Sequence, residues 1–275
     1  MTDVLTPLPI DVVSIQSQVV YGCVGNNAAI PTLQKLGLSV AAVPTVVFSN
    51  TPHYPTIHGG AIPADWFAGY LRGLRERQAL AHTRAVLVGY MGGPQQAEIL
   101  SGWLREIAAD LPSIQIFIDP VIGDYDSGIY VKPGMVQAYQ QQLLPLAHGM
   151  TPNCFELQSL TGCALSGLDS VIAAAKTLLQ GKTQWVVVTS AAPDAASAAE
   201  MRVVLVSRAG VEVLSHPRID ATPKGTGDMF SATLTGYLLA GHSLAEAAQS
   251  ACDNVMAALE RTQRLGSNEL VLTER

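Results

Sequence analysis

The 275-residue sequence predicts an α/β fold, a mostly parallel central sheet with helices on both faces in a three-layer α/β/α sandwich. Three observations predict it. Short apolar, β-branched runs alternate with longer stretches of helical spacing, the pattern of strands joined by crossover helices. Hydrophobic residues make up 48% and charged residues 14%, which is ample material for a large core and far from a disordered composition. No composition shift, long linker or internal repeat divides the chain, so residues 1–275 are expected to form one domain.

The β-branched run Val12–Ile15 opens the series as a strand, and Asn26–Leu36 follows with helical spacing. The long apolar run Val40–Phe48 predicts a buried strand, and Pro63–Gln78 the next helix. Ala85–Gly89 with Gln95–Asp110, then Ile114–Asp119 with Pro133–Leu143, repeat the strand-to-helix alternation. Two further helices, Asn153–Leu160 and Asp169–Leu179, precede the strand Trp185–Thr189. Ala191–Glu200 is rich in Ala and Ser and is expected to be a surface loop. Met201–Val206 and Val211–Leu214 are separated only by Ser207-Arg208-Ala209-Gly210, which predicts an antiparallel hairpin. Asp228–Ala240 and Ala245–Thr262 close the chain as helices.

A formal charge of −6 argues against a nucleic-acid surface, which would show a basic stripe. It leaves room for an anionic small substrate met by a few amides and one metal ion. Met1–Ile10 has no basic start and contains two prolines, so no signal peptide is expected. No run of about 18 apolar residues predicts a membrane span. Cys23, Cys154, Cys163 and Cys252 are scattered without a Cys-x-x-Cys pair, and are expected to be reduced thiols of a cytoplasmic protein, not zinc ligands. No His-Glu-x-x-His or Gly-x-Ser-x-Gly element occurs. Gly181-Lys182-Thr183 imitates the end of a P-loop, but Lys176 stands where the earlier glycine belongs and the segment precedes a strand.

The chemistry concentrates at Pro223-Lys224-Gly225-Thr226-Gly227-Asp228, which runs into an apolar helix. Gly225 and Gly227 allow a tight turn and expose consecutive N–H groups at a helix N-terminus, where unsatisfied donors and the positive end of the dipole attract anions. Asp228 puts a carboxylate beside that anion hole, an arrangement suited to transferring a phosphoryl group to a hydroxyl. An acid in a first helical turn is common for its own sake. That explains Asp228 but not the Gly-x-Gly before it.

Ligands of open parallel sheets bind beyond the C-terminal strand ends, so the residues just past each strand are the next candidates. Asp119, before Pro120, is placed to meet a metal–nucleotide complex, or merely to turn the chain. Asn153 and Glu156 form a capping box by spacing alone; beside Asp119 and the glycine loop, a Glu156 that holds Mg²⁺ or orders its waters is favoured. Thr189 and Ser190 offer hydroxyls to phosphate oxygens, or end a strand. Ser17 and Gln18 with Val19-Val20-Tyr21 combine few polar groups with flat apolar walls, which suits an aromatic heterocycle better than a sugar. His53 in Ser49-Asn50-Thr51-Pro52-His53-Tyr54 and Tyr90 after its strand add rings near the same edge.

Together, Gln16-Ser17-Gln18-Val19-Val20-Tyr21-Gly22, Ser49 to Tyr54, Asp119-Pro120-Val121-Ile122-Gly123-Asp124, Thr151-Pro152-Asn153 to Glu156 and Lys224 to Asp228 resemble the pyridoxal kinases of the ribokinase-like superfamily, over essentially the whole chain. The glycine element marks the superfamily, and the two early loops single out pyridoxal. The resemblance implies MgATP-dependent phosphorylation of the 5′-hydroxymethyl oxygen of the vitamin B6 forms. Asp228 would be the base, Gly225, Thr226 and Gly227 the anion hole, and Ser17, His53 and Tyr90 the substrate contacts. Asp119, Thr151, Glu156, Thr189 and Thr226 would address ATP, with Glu156 and Tyr130 near the Mg²⁺. His216-Pro217-Arg218-Ile219 falls where the family lays chain against the nucleotide, and Asp124–Lys132 matches a flexible segment that covers the site. Family members are commonly homodimers and often gain from a monovalent cation such as K⁺. The alternatives are a hydroxymethylpyrimidine kinase of the same superfamily and a non-catalytic carrier of pyridoxal 5′-phosphate.

Overall fold

The computed structural model describes residues 6–191 and 199–273; residues 192–198, most of the expected Ala- and Ser-rich surface loop, lie outside the described residues. In chain order the elements are β1 (Val12–Tyr21), α1 (Asn26–Lys35), β2 (Val40–Asn50), β3 (Gly59–Ala61), α2 (Ala64–Glu76), β4 (Ala85–Val88), α3 (Pro94–Asp110) and β5 (Gln115–Ile118). Then come β6 (Gly123–Asp124), β7 (Gly128–Ile129), α4 (Met135–Ala138), β8 (Gly149–Met150), α5 (Cys154–Thr161), α6 (Leu168–Thr177), β9 (Trp185–Val188), β10 (Glu200–Ser207), β11 (Val211–Pro217), α7 (Thr226–Leu239) and α8 (Leu244–Leu265).

Nine strands form one sheet in the order β11-β10-β9-β8-β5-β4-β1-β2-β3. The six strands from β9 to β2 run parallel, β3 and β10 run the opposite way at the two margins, and β11, antiparallel to β10, returns to the central direction. Successive side chains of a strand point to opposite faces, so a central strand covered on both sides reads as a continuous apolar run. β4 shows this directly. Ala85 and Leu87 join Val12, Leu33, Phe230 and Leu234 in one core, while Val86 and Val88 join Val13, Phe67, Leu100 and Leu157 in the other. The mostly parallel α/β sandwich expected from alternation is therefore what the chain forms.

The departures from expectation are local. β1 continues to Tyr21 instead of stopping at Ile15, because its pairing with β2 resumes beyond a register shift between Gln16 and Gln18. The polar Gln16-Ser17-Gln18 that ends the apolar run is a bulge in a strand. β3, β6, β7 and β8 have no counterpart in the sequence pattern; at two or three residues each, they are too short to carry a period. The helix expected over Pro133–Leu143 is shorter and irregular. Gly134 caps it with a φ of 85°, α4 spans four residues, and a π-helical turn over Tyr139–Leu143 follows. Tyr139 is fully buried and donates its hydroxyl to the Gly89 carbonyl at 2.9 Å, which ties this turn to the end of β4.

At Gly149 in β8, a Cβ would run into the Trp185 indole of the adjoining strand. Gly149→Ala should cost about 1–3 kcal/mol through overpacking, read as a lowered midpoint in urea with an unchanged slope.

Candidate active site

The parallel strands deliver their C-terminal ends to one edge, and α7 points its N-terminus there. α7 starts at Thr226, two residues earlier than its apolar spacing indicates, because Gly225 forms the cap with a φ of 99°. A Cβ at Gly225 would run into the carbonyl of Cys23, so the turn both needs the left-handed conformation and sits directly on the loop after β1. The N–H groups of Thr226, Gly227 and Asp228 fall in the first helical turn, where no intrahelical acceptor exists. Met229 is the first to bond back, to the Gly225 carbonyl at 3.0 Å.

Asp228 is half-buried and its Oδ2 accepts the Gly25 N–H at 2.8 Å. Gly25, with a φ of 55°, presses on Ser17, where any Cβ would meet both the carbonyl and the hydroxyl. Ser17, Gly25 and Asp228 are thus one contiguous stack, although they are up to 211 positions apart in the chain, 228 minus 17. Removal from water pushes the Asp228 carboxyl up to about 6, against the opposing pull of the Gly25 hydrogen bond.

Two more carboxylates adjoin. Asp119 follows β5, is 5% exposed, and lies close enough that a Cβ added to Gly227 would be 3.7 Å from its Oδ2. Burial, then the negative charges of Glu156 and Asp228, hold its carboxyl well above the usual range. Glu156 is the capping-box residue of α5. Its Oε2 accepts the Asn153 N–H at 2.8 Å, Asn153 Oδ1 accepts the Glu156 N–H at 2.9 Å, and its Oε1 takes the Ile122 N–H at 3.0 Å. Burial pushes its carboxyl upward despite those bonds. Cap and acidic cluster are one structure, so the two alternatives the sequence leaves open for Glu156 do not exclude each other.

Among the described residues no group of three or more His, Cys, Asp or Glu is arranged to hold a metal ion. Mg²⁺ takes one or two carboxylates and completes its shell with water and phosphate oxygens. Asp119 and Glu156 fit such a role, and the buried Thr151 hydroxyl lies beside Asp119.

Thr151 follows β8 and Thr189 follows β9, and the Thr189 N–H reaches the Pro152 carbonyl at 2.9 Å. Tyr130 closes the β6–β7 hairpin; its hydroxyl is pushed up by burial and by the charges of Glu156, Asp228, Asp124 and Asp119, so the ring is near these acids. Tyr90 is half-buried just past β4, and His53 is on the loop after β2. His216 and Pro217 end edge strand β11, with Arg218 and Ile219 next; among the described residues none of the four hydrogen-bonds to Asp119, Glu156 or Asp228.

Three contributors do not stand out in the sequence. Gly25 holds the carboxylate of Asp228. Lys224 pairs with Asp124 at 2.8 Å, tying the β6–β7 hairpin to the glycine loop. Glu269, near the end of the chain, reaches the loops after β1 and β2. A basic residue beside an anion hole is a usable signal for Lys224, but none marks Glu269.

A family model described as phosphomethylpyrimidine kinase matches residues 21–272. A pyridoxine/pyridoxal/pyridoxamine kinase of Bordetella bronchiseptica is 58% identical over 98% of this chain and 95% of its own length. A pyridoxal kinase of Rubrobacter xylanophilus is 36% identical over 96% of this chain and 91% of its own. Among solved structures, pyridoxal kinase from Leishmania donovani in complex with ADP and pyridoxine superposes with a TM-score of 0.86 at 32% identity, covering 95% of this chain and 90% of that one.

The raised carboxyl of Asp228 has a stability consequence. The folded state prefers its protonated form, so the benefit is complete below the ordinary aspartate value of 3.8 and is lost as pH rises through about 6. Asp228→Asn should therefore raise Tm at pH 7.5 by roughly 2–4 °C, an advantage that shrinks toward pH 4 in a thermal melt series.

Proposed function

The chain belongs to the phosphomethylpyrimidine kinase family, and within it to the pyridoxine/pyridoxal/pyridoxamine kinases; on that premise we propose that it transfers the γ-phosphoryl group of ATP to the 5′-hydroxymethyl oxygen of pyridoxal, pyridoxine and pyridoxamine. The observation that carries the reading is the stack of Ser17, Gly25 and Asp228 against the open first turn of α7. It sets a hydroxyl, a carboxylate base and a set of free amides side by side.

Asp228 takes the proton from the attacking hydroxyl, and its place above the usual carboxylate range makes it a better acceptor while it stays largely ionised near neutrality. The Thr226, Gly227 and Asp228 amides meet the charge of the transferring group at the positive end of α7. Ser17, His53 and Tyr90 line the heterocycle, while Asp119, Thr151, Glu156 and Thr189 serve the nucleotide, with His216 to Ile219 along its far side. Asp119 and Glu156, with Tyr130 nearby, would hold Mg²⁺, which supplies neutralisation of phosphate charge. The β6–β7 hairpin, latched by Lys224 to Asp124, keeps water from the site.

The enzyme acts as a single-domain kinase, and we extend the proposal to a cytoplasmic homodimer that gains from a monovalent cation such as K⁺. No helix among the described residues is long and apolar enough to cross a membrane. Val20 and Val47 stand on one face of the β1–β2 ribbon, 82% and 37% exposed, and offer apolar surface to a second copy. The family's description favours one rival, a kinase acting on hydroxymethylpyrimidine.

ADP release should be measured with MgATP and each of pyridoxal, pyridoxine, pyridoxamine and hydroxymethylpyrimidine. Turnover on the vitamers, reduced roughly 10²–10⁴-fold in Asp228→Asn with little change in KM, is the expected outcome. Turnover on the pyrimidine alone would transfer the assignment to the rival, and bound pyridoxal 5′-phosphate without turnover would indicate a carrier. For the wild type, kcat/KM should climb as pH rises through about 6 and level off above it, because the base must be ionised; a flat profile from pH 5 to 8 would remove Asp228 from that role.

A further inference from the structure

The end of the chain carries a buried carboxylate to the substrate loops. α8 stops at Gly266, with a φ of 60°, and the Ser267 N–H returns to the Thr262 carbonyl at 3.1 Å. Val271 N–H donates to Thr262 Oγ1 at 2.9 Å, and Arg261 holds the carbonyls of Val271 and Leu272, each at 3.2 Å. Leu270, 2% exposed, packs with Met229, the residue after Asp228, and with Ala258. Ser267 Oγ both donates to the Glu269 carbonyl at 2.8 Å and accepts the Glu269 N–H at 3.1 Å. Glu269 is thus fixed to the same helix pair that carries the base.

Its Oε2 accepts two bonds, from the Cys23 N–H at 3.2 Å and the Thr51 hydroxyl at 3.0 Å. Its Oε1 is buried and has no hydrogen-bond partner among the described residues. His53 Nε2 lies 3.7 Å from that oxygen, and the Glu269 side chain is only 10% exposed. An ionised acceptor left open in such a place costs more than a neutral one, and calls for a partner. His53 and the Tyr54 hydroxyl, whose proton the Glu269 charge helps to hold, are the groups within reach, and the two rings pack with centroids 4.2 Å apart.

We propose that Glu269 is a positioning residue for substrate recognition: its Oε1 accepts the Nε2–H of His53 as the substrate seats. A closure of under about 1 Å brings the 3.7 Å gap to the length of a charge-assisted hydrogen bond. The hydrogen on one imidazole nitrogen fixes the role of the other. His53 Nδ1 is then left as an acceptor for a donor group on the heterocycle. This inference rests on the reading that His53 faces the vitamer.

Glu269→Gln tests it with little change in volume. Cys23 and Thr51 are both donors, so the amide oxygen stays at the Oε2 position and the NH₂ takes the place of Oε1. That donor now faces Nε2, and the imidazole must carry its hydrogen on Nδ1 instead. Long-range ¹H–¹⁵N correlation spectra of the pyridoxal-bound protein should show His53 as the Nε2–H tautomer in the wild type and as Nδ1–H in the variant. KM for pyridoxal should rise roughly 10- to 100-fold while KM for ATP stays within about twofold, as expected for loss of one charge-assisted contact on the vitamer side.

An Nδ1–H tautomer in the wild type overturns the proposal without recourse to any variant. So does a variant with an unchanged tautomer and unchanged KM for pyridoxal, or one whose two KM values rise together as Tm falls, which would mark a purely structural clamp. Absence of vitamer-dependent ADP formation by the wild type would defeat the kinase reading instead, and the tautomer of His53 would still decide the pairing with Glu269.

Discussion

Crowding of negative charge at one end of the sheet constrains everything around it. The charges of Glu156 and Asp228 both bear on Asp119, and each of the three carboxyls is held at least partly out of water. Carboxylates in such a place are costly unless dipoles or counter-charges offset them. The offset here is mostly backbone. Glu156 takes amides from Asn153 and Ile122, Asp228 takes the Gly25 amide, and both acids sit in the first turns of helices whose N-termini face them. Stabilising the acids and preparing an anion site are consequently the same structural act.

The close approach of backbones follows from that arrangement. For the Gly25 amide to reach Asp228, the loop after β1 has to lie against both Ser17 and the turn before α7. Glycine is required on both sides of the contact, with Gly25 pressed on Ser17 and Gly225 on Cys23. Both adopt positive φ, so a side chain would be strained as well as obstructed. The loop after β1 is therefore gripped from several directions, by α7 at Gly25 and by Glu269 at Cys23.

The two halves of the site differ in how they are held. The side proposed for the nucleotide hangs from the ends of β5, β8 and β9, which are short, central and buried, with Val186, Val187 and Val188 all at 0% exposure. The side proposed for the vitamer is built from the β1–β2 ribbon and its loops, where Val20 and Tyr21 are exposed and His53 rests mainly on Tyr54 and Glu269. Rigid support suits a ligand that every turnover shares. More exposed loops would suit one heterocycle with differing substituents, and Glu269 ties them to the tail of the chain.

Residue pattern is enough to specify the sandwich and to nominate much of the candidate site. Strands buried on both faces have to be continuous apolar runs, so β4, β5 and β9 are visible from composition, while the equally apolar run of β2 is only partly buried, and Gly225 to Asp228 marks a candidate anion hole. Asp119 and Thr189 are candidates from pattern because a parallel sheet presents its ligands just past its strands, Glu156 from its capping-box spacing, and Thr151 from the family resemblance alone. The remainder is settled by packing. The extension of β1 through Gln16-Ser17-Gln18 depends on its pairing with β2 across a bulge, which no local period records. The two-residue β8 exists because β5 and β9 leave a gap that glycine fits beneath Trp185. Lys224 finds Asp124 from 100 positions away, and Glu269 finds Cys23 from 246. Local residue pattern encodes local conformation and burial, whereas partners that distant are set only when the packed sheet and helices bring their ends together.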